Sequence, residues 1–181
     1  LLRDAQDPER RIVRRITPPA ARRWALDAWV RPDPRAPDDA LDRLAGVTGA
    51  LRATSSSRFD GRPRHRASSA FDGSTRRAWV GQWIPGRPAW LAWRTRELTS
   101  LRTFRLVPAA LRVRRPTRVR LTVDGRSGPT VPVAEDGGVV LPRGLRGRAF
   151  RLDIVAARFA TGTPPRLRQR RAVAVGELAA A

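Results

Sequence analysis

The sequence predicts an all-β domain, a β-sandwich of jelly-roll type, on three observations. Short apolar runs recur at residues 51–53, 89–93, 101–107, 117–123, 139–141, 149–155 and 171–178. Gly, Pro, Ser and Asp turns separate them, notably Asp124-Gly125 and Asp136-Gly137-Gly138, with no helical periodicity between. Two distant stretches also read as partners that close one domain. ASSAFDGSTRRAW at residues 67–79 carries an Asp-Gly turn and Trp79, and VAVGEL at residues 173–178 is an apolar strand bearing Glu177.

Ahead of that domain the pattern differs. Residues 11–16 and 24–30 alternate apolar with polar and predict two strands, separated by a Thr-Pro-Pro break at residues 17–19. RPDPRAP at residues 31–37 predicts an extended linker, since each Pro fixes its own φ and biases its predecessor away from helix. Asp38 and Asp39 then act as an acidic cap for ALDRLAG, a helix of about two turns with Leu41 and Leu44 at helical spacing and Gly46 past its end. The expected organisation is an N-terminal extension over residues 1–46 and the jelly roll over residues 47–181. Pro108 and Pro132 fall at strand ends or edges, where a missing N–H is tolerated.

Composition narrows the functional classes. The 181 residues contain no Cys, so neither a disulfide, a thiolate metal site nor a thiol nucleophile is available. No apolar run approaches the roughly 18 residues of a membrane span, and the first residues do not read as a signal peptide. A Leu-Leu start and the absence of Met predict a piece of a longer polypeptide. The formal charge is +21, and all 37 basic residues are Arg. That excess has two readings: a solvated surface produced by GC-rich codons, or attraction to something anionic. The basic residues are spread along the chain, and no single helix or loop concentrates them with interleaved aromatics, so no specific nucleic-acid contact is expected.

Catalysis is not expected either. There is a single His and no Cys, no Gly-rich phosphate loop opens a helix, and no pair of acids has the spacing to face across a cleft. Ser55, Ser56 and Ser57 read as a turn, because no general base accompanies them. Among the tryptophans, Trp79 is expected in the core, Trp90 and Trp93 on opposite faces of one strand, and Trp24 and Trp29 against a neighbouring domain.

Taken in order, ASSAFDG…AW, AWLAW, LRTFRLVPAALRVRRPTRVRLTVDG, RAFRLDIVAARF and VAVGEL resemble the discoidin family, also called coagulation factor 5/8 type C, within the galactose-binding-like jelly rolls. The resemblance covers about residues 47–178. The Arg- and Ala-rich style and the block ending in ALDRLAG further resemble modules appended to actinobacterial arabinofuranosyltransferases of the mycobacterial cell-wall type.

The resemblance implies a structural Ca²⁺ held by the Asp-Gly turn, polar groups two and five residues on, and a Glu from the last strand. Asp72 and Glu177 match, but the middle positions are Ser74 and Arg77, and Arg77 cannot be a ligand. We therefore expect a degenerate calcium site with no cofactor, in which Arg77 bridges Asp72 and Glu177. The competing expectations are a retained Ca²⁺, and an Asp72 that merely makes its turn while Glu177 is solvated.

The resemblance also implies sugar binding, with an aromatic face against the ring and fixed polar groups on its hydroxyls. Trp83 matches the platform and Phe159 a second aromatic, while Val80 and Ala109 stand where a His and an Arg are found in relatives. Arg112 is the expected replacement for that Arg, joined by Arg158 and by His65, which would approach the same rim. Trp83 also reads as a latch, and His65 also reads as solvated.

The expected function is a non-catalytic carbohydrate-binding module of a larger extracytoplasmic, membrane-associated cell-envelope protein. Its partners would be a wall polysaccharide of arabinan or galactan type and neighbouring domains of the same polypeptide, with membrane contact only through the parent. The alternatives are an Arg-rich module for anionic lipid, polyanion or protein, and a purely architectural domain.

Overall fold

The computed structural model of the chain describes Thr17, Arg23, Ala25, residues 32–47, Gly49 and residues 51–180. The chain divides into two compact units, Leu1–Arg31 and Pro32–Ala181, and the second is described below. The strands expected over residues 11–16 and 24–30, with Trp24 and Trp29, lie outside the described residues.

The second unit opens with helix α1 (Asp38–Leu44). Pro37 occupies the N-cap and makes no side-chain cap bond. Asp38 and Asp39 therefore lie in the first turn, not at the cap, where their charge still complements the helix dipole. Gly46 follows with φ of +67° and ends the helix as expected. The helix belongs with the β-domain. Arg66 donates to Asp42, Ser68 donates to the same carboxylate, and the Ala67 N–H donates to Asp38.

Eight strands follow: β1 (Arg52–Ser55), β2 (Trp79–Gln82), β3 (Ala89–Val107), β4 (Arg115–Val123), β5 (Arg126–Pro132), β6 (Gly138–Arg158), β7 (Ala172–Val175) and β8 (Glu177–Ala180). A one-turn helix α2 (Pro165–Arg168) precedes β7. The large sheet runs β1-β3-β6-β4-β5, with β8 pairing the far half of β3. The small sheet pairs β2 with β7. Every ladder between these strands is antiparallel.

Two predicted pairs of runs are each one long strand. The β3–β6 ladder passes through a register shift between Arg94 and Thr99, so the polar TREL stretch bulges outward and Leu98 is exposed. Backbone pairing carries the strand across residues that bury nothing, which is why apolar periodicity alone divided it. β5 was not foreseen as a strand; its Pro129 and Pro132 are accommodated at a sheet edge.

The core lies between the sheets. Leu91, Trp93, Phe104 and Leu106 of β3, Val119 and Leu121 of β4, and Phe150, Leu152 and Ile154 of β6 face Trp79, Val173 and Val175. Trp93 stacks on Phe150, with ring centroids 5.3 Å apart and planes 11° apart. Val80, Ala172 and Ala174 face the other way and are covered by Ala109, Val113 and Phe59. β7 is thus buried on both faces, which explains its unbroken apolar run. The serine turn joins the two sheets. Ser56 Oγ accepts the Trp90 N–H, Ser57 Oγ accepts the Gln82 N–H, and the Ser57 carbonyl accepts Trp79 Nε1 at 3.1 Å.

Candidate functional site

At one end of the sandwich, β2 stops at Gln82 opposite the start of β7 at Ala172. The next residue, Trp83, donates its N–H to the Arg171 carbonyl at 2.9 Å. Arg114 reaches the same segment from the crossover between β3 and β4. Its Nη1 donates to the Arg170 carbonyl, and its guanidinium carbon lies 4.4 Å from the Phe159 ring centroid. Arg114 is itself held by a two-way backbone exchange with Ala172 and Ala174, and burial pushes its guanidinium below the ordinary Arg value. The loops carrying Trp83 and Phe159 are therefore tied to one short segment, residues 170–171.

Phe159 and Arg158 line a cleft of about 220 Å³ with Arg115, Pro116, Glu135 and Thr161. Arg158 is exposed, 4.0 Å from the Glu135 carboxylate. Trp83 is half-buried and packs against the main core. It has the contacts of a latch, with part of its ring surface left to solvent.

Two expected members stand elsewhere. Arg112 is exposed, and it is Arg114, two residues on, that sits over Phe159. Sequence could not separate them, because residues 112, 114 and 115 are all Arg; the discriminating feature is the bridge of Arg114 to Val173. His65 is neither solvated nor on the Phe159 cleft. Three 3₁₀ turns, Phe59–Gly61, Pro63–His65 and Ala67–Ala70, fold its loop back on itself, and His65 is only 7% exposed. Its Nδ1 lies 3.3 Å from the Phe59 carbonyl. It lines a separate small cleft with Arg64, Thr75, Arg76 and Arg77. Burial pushes its pKa down, the Phe59 carbonyl opposes that, and the charges of Arg64 and Arg62 add to it.

The carboxylate pair occupies the region where β7 passes into β8. Asp72 Oδ1 accepts the Ser74 N–H at 3.0 Å, and its Oδ2 lies 2.8 Å from Arg77 Nε without hydrogen-bond alignment. Arg77 does not bridge to Glu177 as expected: among the described residues its ion pair is with Asp72 alone. Glu177 instead faces the turn. Burial pushes its carboxyl up from the ordinary value, the backbone N–H groups of Gly73, Asp72 and Ser74 pull it down, and the Asp72 charge adds to the upward push. Its Oε2 is buried without a partner. Arg77, 51% exposed, pairs with Asp72 and leaves Glu177 to the backbone N–H groups of the turn. As a donor set for Ca²⁺ this does not fit. A hard cation wants six or more oxygens, and among the described residues no cluster of three acidic or imidazole side chains forms here or elsewhere.

No protein-family model matches the sequence, and no curated protein matches it. Solved structures do match in fold. The family 32 carbohydrate-binding module of Clostridium perfringens NanJ, in complex with galactose, superposes with a TM-score of 0.53 at 13% identity, over 72% of this chain and 93% of that one. An F5/8 type C domain from Bacteroides fragilis gives 0.54 at 11%, over 72% and 90%. The family 32 module of AlyQ, in complex with 4,5-unsaturated mannuronic acid, gives 0.51 at 8%, over 72% and 93%. At these identities the likeness establishes architecture: the chain folds as a galactose-binding-like jelly-roll β-sandwich, the fold of F5/8 type C and family 32 carbohydrate-binding domains.

Proposed function

We propose that this chain is a non-catalytic carbohydrate-binding module whose sugar site is the loop end carrying Trp83 and Phe159. The observation that supports it is the tie of both aromatic loops to residues 170–171, through the Trp83 N–H on one side and Arg114 on the other. One aromatic loop held by the Trp83 N–H bond and the other by Arg114 over the Phe159 ring, with Arg158 exposed beside Phe159, would supply a stacking surface and a hydroxyl donor at little entropic cost. Arg114 takes the role expected of Arg112. His65 is dropped from the site, and Asp72, Arg77 and Glu177 act as a metal-free structural cluster.

We extend the reading to a polysaccharide of arabinan or galactan type, held for a larger extracytoplasmic cell-envelope protein, with an arabinofuranosyltransferase as the candidate parent. The module would raise the local concentration of its glycan beside a catalytic partner. The test is binding of the purified protein to arabinan, galactan and arabinogalactan at low and high salt, with Trp83→Ala and Phe159→Ala alongside. Salt-insensitive binding to one neutral glycan that either substitution abolishes supports the site. Neutral-glycan binding indifferent to both substitutions would move it elsewhere, and no binding to any glycan would overturn the function.

A further inference from the structure

The outward face of the large sheet carries a row of arginines that the loop-end site does not use. Inward positions are set by Ala53, Leu91, Trp93, Leu121, Phe150 and Leu152, so their alternate neighbours point away from the core. In this register Arg52 of β1 stands directly opposite Arg94 of β3. Ala92, the next outward position on β3, stands opposite Arg151 of β6. Arg151 in turn stands opposite Thr122 of β4, one outward step from Arg120. Arg52, Arg94, Arg151 and Arg120 thus form a diagonal across four adjacent strands, with steps of about 5 Å for the direct pair and about 7–8 Å for the diagonal ones.

Asp153 orders one end of this row. It stands opposite both Trp90 and Arg120 and is 4% exposed on an outward face. Its Oδ1 accepts Arg151 Nε at 2.9 Å, and its Oδ2 lies 3.7 Å from Arg120 Nη2. Arg151 also lies over the Trp90 ring, 4.6 Å from the centroid. Two guanidinium groups are therefore held side by side while their side chains stay 41% and 47% exposed. Arg151 meets Asp153 through Nε, and among the described residues its Nη groups have no hydrogen-bond partner, which leaves donors suited to a carboxylate. At the other end, Arg52 and Arg94 are both exposed, and among the described residues neither has an ion-pair partner. Like charges directly opposed on a sheet are destabilising, and a bound anion removes that cost.

We propose that this face binds an acidic polysaccharide, a chain of uronic-acid sugars laid diagonally over β1, β3, β6 and β4 with its carboxylates on the arginine row. Along the row itself four arginines stand against Asp153; Asp39 and Asp42 line a cleft with Arg52 and Arg94, and the Arg94 charge also acts on Asp124, so the net excess of positive charge is greatest at Arg151 and Arg120. A polynucleotide is the less suited polyanion. Single strands are held by aromatic platforms, and the one aromatic in this row, Trp90, already has a face covered by Arg151. The site is distinct from the Trp83 and Phe159 loops and does not depend on the reading given to them.

The test compares binding to polygalacturonate, to its fully methyl-esterified neutral form, and to a single-stranded oligonucleotide, at two ionic strengths. The variant is the double Arg52→Glu/Arg94→Glu, which replaces one like-charged pair with another, so its melting temperature serves as a folding control. The expected result is polygalacturonate binding that fades between about 50 and 200 mM salt and weakens about tenfold in the double variant. The esterified polymer is bound far more weakly. Unaltered affinity in the double variant overturns the site. An oligonucleotide bound as tightly as polygalacturonate, and lost in the same variant, overturns the ligand class.

Discussion

Arg66 Nε and Asp42 Oδ1 lie 2.6 Å apart, with the side chains only 7% and 16% exposed. This pair joins α1 to the loop that leads into the fold, and the Ser68 hydroxyl donates to the same carboxylate oxygen. Removing one member of a buried pair strands the other, which costs about 3–5 kcal/mol. Arg66→Ala and Asp42→Ala are therefore expected to lower the denaturation midpoint sharply. Asp39→Ala, which breaks the exposed Asp39–Arg43 pair, should leave the midpoint nearly unchanged. Equal effects from the two pairs, in urea titrations, would show that α1 is not anchored by Asp42.

That anchor also shows what the sequence could and could not convey. Asp38, Asp39, Leu41 and Gly46 specify a helix locally, and its existence was readable from them. Its attachment to the β-domain depends on Asp42 meeting Arg66 and Ser68, whose separation along the chain carries no periodic signal. The jelly roll was legible because Leu91, Trp93, Leu121, Phe150 and Leu152 alternate with polar residues over a buried face. The long bulged course of β3 and β6 was not, since residues 95–100 between the apolar runs of β3 leave no apolar side chain buried and so carry no hydrophobic period. At the candidate site the aromatic positions Trp83 and Phe159 could be picked out, whereas the choice of Arg114 over Arg112 required knowing the crossover that sets Arg114 beside Val173.

His65 gives the fold a dependence on acid. Its folded pKa is below the ordinary value because burial disfavours the cation, and Arg62, Arg64, Arg76 and Arg77 stand around it, while the Phe59 carbonyl and Asp60 offset them in part. A group depressed in this way contributes stability that is complete above its unfolded value, about 6.5. That contribution is lost as pH falls toward the folded value, since the unfolded chain binds the proton first. The melting temperature should accordingly fall on acidification below about pH 6.5, and His65→Gln should flatten that part of the profile. A variant with the same slope as the parent would assign the effect to other groups.

Glu177 works in the opposite direction. Its raised pKa means that the folded state holds the proton better than the unfolded one, so its stabilising contribution is present at low pH and is lost as pH rises through the folded value. Glu177→Gln removes a partly buried charge near neutrality and with it the repulsion from the Asp72 carboxylate. The expected outcome is a gain of about 1 kcal/mol near pH 7.5. Millimolar calcium should leave the melting temperature of the parent unchanged, because anything that binds the folded state alone would raise it by mass action. A calcium-dependent rise that disappears in Glu177→Gln would show that the cluster holds a cation after all.

Arg114 and Arg112 make the sharpest comparison at the loop end, being chemically identical and two residues apart. Arg114 donates to the Arg170 carbonyl and covers Phe159, so Arg114→Ala loses a charged hydrogen bond and a cation–π contact and should destabilise the protein by about 1–3 kcal/mol. Arg112 is exposed, and Arg112→Ala should be nearly silent in stability. The same order should hold in glycan binding. Arg114 keeps Phe159 and residues 170–171 in register with Trp83, so its loss loosens the stacking surface even where the sugar never touches it. Calorimetry of both variants against any neutral glycan found to bind the unsubstituted protein checks this. A variant at position 112 that loses binding while one at position 114 keeps it would return the donor role to Arg112 and make the Arg114–Phe159 contact purely structural.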